Sequence, residues 1–247
     1  EIRNCDWSSD VCSSDLDRMI RSYLGLKELV KQHNLDFIGI KCQPELSNGY
    51  SVQCLSVQLF GDPYDAEGFK EPVVCSCEAD ADGALTMQIM KYISGRMPTA
   101  FHDIFSYDQY TLVLANCGAN PSYFSRCSQN PEENLNQVHL QPHDFGQAGG
   151  ASVQFNFAPG IYTYARLLRD DLSYRMIITR GETIEQSRDD LYQYSWFRPT
   201  AVVKMGIEYK DFARHFDCNH IHGVYGDYVN ELVEFCMLKD IEYKVLL

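Results

Sequence analysis

At 247 residues, with 45% hydrophobic and 22% charged residues, the chain is long enough to bury one large core or two smaller ones and is neither disordered nor fibrous in composition. A formal net charge of -13 argues against a nucleic-acid binder, because such proteins concentrate Lys and Arg on one surface. No stretch reaches the roughly 20 apolar residues needed to span a bilayer and no secretory signal pattern is visible, so no membrane is expected as a partner and the cytoplasm is the expected compartment.

The chain opens on EIRNCDWSSDVCSSDL, residues 1–16, rich in Ser, Asp and Cys and without a period of 2 or 3.6. It resembles a translated sequencing adapter and is set aside as a non-native leader. The fold then starts at residue 17, already inside a helix, and a first domain is expected upstream of it. From Met19 to Gln32 apolar residues recur at helical spacing, with His33 and Asn34 as terminators. DFIGIKC reads as a strand buried on both faces of a parallel sheet. Residues 51–60 suit a helix, and a Gly-containing loop leads to a second buried strand, VVCSC. Next comes an acidic turn and a helix with Leu85, Ile89, Met90 and Ile93 on one side. TAFHDIFSY and TLVLANCG complete an alternation of strands and helices, so residues 17–120 read as a parallel α/β, Rossmann-like domain.

Beyond residue 120 the runs become aromatic and Gly-punctuated: SVQFNFAPG, IYTYARLLRD, LSYRMIITRGETI and TAVVKMGIEY. Residues 121–247 therefore read as mostly antiparallel β structure, closed by one helix and a final strand in DYVNELVEFCMLKDIEY. The ten cysteines sit in apolar runs such as PVVCSC and EFCML, which suits buried thiols better than a disulfide framework. GQAGG at 146–150 lacks the Lys and the strand-to-helix setting of a phosphate loop and reads as a turn or a close backbone approach.

Ligands of parallel α/β sheets bind beyond the carboxyl ends of the strands. Glu78, Asp80 and Asp82 follow one strand directly, a position that also suits ordinary solvated turn residues. Asp103 lies in the next strand-like run, so adjacent strands would bring the Glu78 and Asp103 carboxylates to one sheet edge, an arrangement that suits a divalent cation. NHIHGVYGD places His220 and His222 on one face of an extended segment, either of which could add a third ligand. Covalent catalysis is disfavoured: no G-x-S-x-G elbow is present, and Cys117 has no evident His partner.

KCQPELSNGY, EPVVCSCEADADGALTM, AFHDIFSY, LANCGANP and NHIHGVYGDY resemble, in order, the C-terminal half of L-fucose isomerase-like enzymes. The resemblance implies an α/β domain followed by an antiparallel β-barrel, with the site between them. It implies a Mn2+ or other divalent cation held by Glu78, Asp103 and a C-terminal His, for which His222 is favoured and His220 held in reserve. Glu78 and Asp103 would also serve as catalytic acid and base in interconverting an aldose and a ketose through a metal-bound cis-enediol. The expected partners are a small sugar and further copies of the chain in a homo-oligomer. Asn116, Trp196 and Arg198 are expected sugar contacts, with Tyr107 and Phe197 as further aromatic surfaces. The alternatives are a non-catalytic sugar-binding member and an inactive fragment.

Overall fold

The computed structural model describes residues 11–170, 173–194 and 198–247. In chain order the elements are α1 (Ser13–His33), β1 (Phe37–Ile40), α2 (Glu45–Gly49), α3 (Cys54–Gly61), β2 (Tyr64–Asp65), β3 (Gly68–Phe69), β4 (Val74–Cys77), α4 (Ala81–Ile93), β5 (Ala100–Tyr107) and β6 (Thr111–Ala115). A 3-10 turn at Ser122–Ser125 leads to α5 (Pro131–Leu135), β7 (His139–Pro142), β8 (Ala151–Gln154), β9 (Gly160–Asp170) and β10 (Ser173–Thr183). The chain continues through α6 (Arg188–Tyr194), β11 (Thr200–Met205), α7 (Tyr209–Ala213), β12 (His220–Tyr225), α8 (Val229–Lys239) and β13 (Glu242–Leu246). Helix α1 starts at Ser13, inside the segment set aside as a leader, and residues 1–10 lie outside the described residues.

Parallel pairing of the expected kind joins β1 to β4, with Phe37 opposite Val74 and Ile40 opposite Cys77. Of the four strands expected in one parallel sheet, only these two pair in this way. The third and fourth expected strands, β5 and β6, belong instead to a seven-stranded, mostly antiparallel sheet of order β11-β6-β5-β12-β9-β10-β13. The cause is connection length: only residues 108–110 separate β5 from β6, whereas a parallel crossover takes about a dozen residues or more. The Rossmann-like expectation is corrected accordingly to a mixed α/β fold dominated by this large sheet. β10 pairs antiparallel with both β9 and β11 and parallel with β13.

One face of the large sheet carries an aromatic core in which Phe124, Phe155, Phe157, Tyr162 and Tyr164 are fully buried with Leu114, Ala201 and Ile221. Each such large side chain removed from water contributes about 1.5–3 kcal/mol. A second cluster joins α1, β1, α3 and β4 through Met19, Tyr23, Ile40, Val57, Phe60 and Cys75. A third packs α4 and α8 on β9, β10 and β12 through Met90, Leu167, Ile178, Val224 and Leu232. Helix α4 therefore bridges the small parallel pair and the large sheet, and it begins three residues after Glu78.

The GQAGG turn is a close backbone approach. Gly150 has φ +131, and a Cβ there would lie 2.5 Å from Val52 Cγ2. Gly149 O accepts from Val52 N–H at 3.0 Å. Eight described cysteines are free thiols, while Cys12 is disulfide-bonded. No described helix is long and apolar enough to cross a membrane.

Candidate metal centre

Asp103 in β5 and His220 in β12 are register partners in an antiparallel pair, so their side chains leave the sheet on one face with Cβ atoms about 5 Å apart. Asn120 fixes the height of β5 here: its Oδ1 accepts from Phe101 N–H at 2.8 Å and its Nδ2 donates to Phe101 O at 2.9 Å. Glu78 reaches the same point from the other sheet. It follows β4 directly, and both Glu78 (φ 58) and Ala79 (φ 54) adopt left-handed backbone. Two consecutive non-glycine residues in that region are uncommon and costly, and such backbone concentrates at functional sites. The turn fits only because β1 carries Gly39 alongside it: a Cβ at Gly39 would lie 2.6 Å from Ser76 Oγ and 3.0 Å from Ala79 Cα.

His220 Nε2 lies 3.4 Å from Glu78 Oε2 and 3.3 Å from Asp103 Oδ1. One ligand atom from each of Glu78, Asp103 and His220 falls within 4.8 Å of the others, a spacing that one coordination sphere spans. His220 Nδ1 faces Asp80 Oδ2 at 2.9 Å, and Asn219 Nδ2 donates to Asp103 Oδ1 at 2.8 Å. Burial lowers the pKa of His220, but hydrogen bonds to Asp103 and Asp80 and the charge of Glu78 outweigh it and raise the pKa to about 10. The cluster thus favours positive charge at this point, a second proton on His220 or a divalent cation in its place. Two carboxylates and one imidazole also form a donor set suited to Mn2+ or a similar divalent ion.

His222 lies outside this cluster. It is fully buried, and Arg166 Nη1 lies 3.0 Å from its Nε2. Burial and the Arg166 charge push its pKa well below the usual value, so the ring is neutral and its Nε2 accepts from the guanidinium. Phe101 packs against both imidazoles, with ring centroids 4.6 Å from His220 and 5.0 Å from His222. The histidine geometrically associated with Glu78 and Asp103 is therefore the one held in reserve.

The described members of the expected sugar-contact set have partners within the fold. Asn116 is buried and its Oδ1 accepts from Ala119 N–H at 2.9 Å, which closes its own loop. Arg198 stacks over Phe105 and Phe145 at 5.0 and 5.4 Å from the ring centroids. Tyr107 stacks on Tyr209 with centroids 3.6 Å apart. Trp196 and Phe197 lie outside the described residues. A small pocket lined by Ile40, Cys42, Cys54, Cys77 and Cys117 borders Glu78. Burial raises the Cys117 thiol to about 12, so it stays protonated and is a poor nucleophile.

Sequence reasoning missed Arg166 and the place of Asp80. Arg166 Nη1 and Nη2 pair with Asp80 Oδ2 and Oδ1 at 2.5 and 3.1 Å. The available signal was a lone Arg inside the apolar strand run IYTYARLL.

A family model described as L-fucose isomerase, C-terminal domain, matches residues 114–246. Among curated relatives, a sulfoquinovose isomerase from Priestia aryabhattai is 21% identical over 239 residues, covering 89% of this chain and 46% of the relative. One from Clostridium sp. (strain MSTE9) is 23% identical over 240 residues, covering 93% and 48%. One from Alkalicoccus urumqiensis is 25% identical over 162 residues, covering 65% and 33%. The chain spans about half or less of the length of these relatives.

Proposed function

Because the chain belongs to the L-fucose isomerase C-terminal domain family, we propose that it is the site-bearing part of a metal-dependent aldose-ketose isomerase in carbohydrate metabolism, acting within a homo-oligomer. The observation that carries the reading is the convergence of Glu78, Asp103 and His220 ligand atoms within 4.8 Å. In this reading these three residues hold Mn2+ or another divalent cation, with His220 in the place first given to His222. A bound cation would supply Lewis-acid polarisation of the sugar oxygens.

The reaction moves one proton between C1 and C2 and another between their oxygens, by way of an enediol. In this reading Glu78 and Asp103 carry these protons. The group that removes a proton as base returns it as acid, so one carboxylate serves each transfer without net consumption of acid or base. Asn219 donates to Asp103 Oδ1 at 2.8 Å and so restrains that carboxylate.

For the substrate, the first reading is a pentose or 6-deoxyhexose such as D-arabinose or L-fucose. A second is a sugar bearing an anionic group. It is favoured by the names of the relatives and by Arg198, whose charge acts on Cys117 together with those of Asp103 and Glu78. The test is a panel of aldoses, including sulfoquinovose, incubated with full-length protein and Mn2+. Conversion of one aldose to its ketose is expected, together with its abolition in Glu78→Gln. Binding of sugar without turnover across the panel would support the non-catalytic alternative instead.

A further inference from the structure

We propose that Asp80 is a positioning residue: it fixes which ring nitrogen of His220 faces Glu78 and Asp103, and is itself held in place by Arg166 and His222. The inference rests on the reading of Glu78, Asp103 and His220 as the cation site.

A carboxylate accepts hydrogen bonds and donates none. Asp80 Oδ2 lies 2.9 Å from His220 Nδ1, so Nδ1 carries the proton in that contact. A neutral His220 ring then presents the Nε2 lone pair to the Glu78 and Asp103 oxygens, 3.4 and 3.3 Å away. Without Asp80 the neutral ring divides between its two tautomers, and the form protonated on Nε2 offers no lone pair on that side. A hydrogen-bonded carboxylate of this kind also raises the basicity of a ligating imidazole and restricts its rotation.

Asp80 is unusually well held for a turn residue. It is the N-cap of α4, with Oδ1 accepting from Gly83 N–H at 2.8 Å. Arg166 grips both carboxylate oxygens, the bidentate geometry that only Arg supplies. Arg166 Nη1 is held in turn by His222 Nε2 at 3.0 Å. Arginine only donates, so His222 accepts there. This gives a fully buried histidine a role without a cation: it anchors the guanidinium.

Gly83 makes the packing possible. A Cβ there would lie 2.6 Å from Asp80 Oδ2 and 2.8 Å from His222 Nε2. The two histidines of β12 thus divide the work, His220 facing the site and His222 closing the support behind it.

The experiment is Co2+ binding to full-length protein, followed by calorimetry and by the visible absorption of the bound ion, in wild type, Asp80→Asn and Asp82→Asn. Asp80→Asn preserves shape but replaces one of the two acceptor oxygens by an NH2 donor, so Gly83 N–H, Arg166 and His220 Nδ1–H can no longer all be accepted and the tautomer is no longer selected. It is expected to weaken Co2+ binding about 10–100-fold and to change the absorption spectrum, while Asp82→Asn leaves both unchanged. Wild-type protein that binds no Co2+ at the Glu78, Asp103 and His220 site overturns the site reading itself. Wild-type binding with an unchanged dissociation constant and spectrum in Asp80→Asn overturns the positioning role alone. If Asp80→Asn does not fold, Arg166→Lys decides by the same criteria, because Lys cannot grip both oxygens of Asp80.

Discussion

At the scale of single residues, the difference between His220 and His222 is one step along a strand. Both leave β12 on the same face, as their spacing dictates, yet His220 pairs in register with Asp103 while His222 pairs with Phe101. Sequence shows the shared face but not which residue of the neighbouring strand lies opposite, because register is a long-range property. Replacing His220 by Ala is expected to abolish cation binding measured by calorimetry. His222→Gln is expected to weaken it without abolishing it, because Gln retains an acceptor for Arg166. Asp62 offers a separate pH test. It is buried, and desolvation raises its pKa from 3.8 to about 7 against the opposing hydrogen bonds from Ser122 and Tyr123 N–H. The native state therefore holds a proton that the unfolded state releases near pH 3.8, so this group makes stability fall as pH rises from about 4 to 7 and adds no slope above that. Asp62→Asn is expected to remove that contribution. Relative to wild type, the variant should gain up to about 1.4 kcal/mol per pH unit within the window, read from urea denaturation at several pH values.

At the scale of elements, the strand and helix positions were largely legible from period and punctuation. Examples are α4 at Ala81–Ile93, β4 at Val74–Cys77 and the closing pair α8 and β13. The pairing of β5 and β6 is antiparallel where the alternation of elements suggested parallel, although the three residues between them carry the information. A strand's neighbours depend on the length of the connections around it as much as on its own composition. The turn at Glu78 and Ala79 was not legible at all, since neither residue type advertises left-handed backbone. Its partner Gly39 makes a stability prediction. Gly39→Ala places a methyl against Ser76 Oγ and the Ala79 backbone, and is expected to cost about 1–3 kcal/mol in chemical denaturation. The loss should be accompanied by weaker Co2+ binding, because relief of the clash displaces Glu78. Asn120→Ala should behave similarly from the other side, by leaving the buried Phe101 N–H and C=O without their partner, at about 1–3 kcal/mol.

At the scale of the whole molecule, the cluster exists because three pieces of chain far apart in sequence meet where the small parallel pair faces the large sheet. Residues 78, 103 and 220 come from a turn after β4 and from two strands of the other sheet. Composition pointed to the growing antiparallel character, and motif resemblance singled out Glu78 and Asp103, which the fold brings together. Neither could supply the supporting shell of Asp80, Arg166, Asn120 and Gly83, because each of these is an ordinary residue type until its neighbours are known. The most direct test of the account is a crystal of the Mn2+-soaked protein measured at the manganese edge. One anomalous peak is expected about 2.0–2.3 Å from an oxygen of Glu78, an oxygen of Asp103 and Nε2 of His220. A peak bound to His222, or one lying away from these three residues, would contradict it.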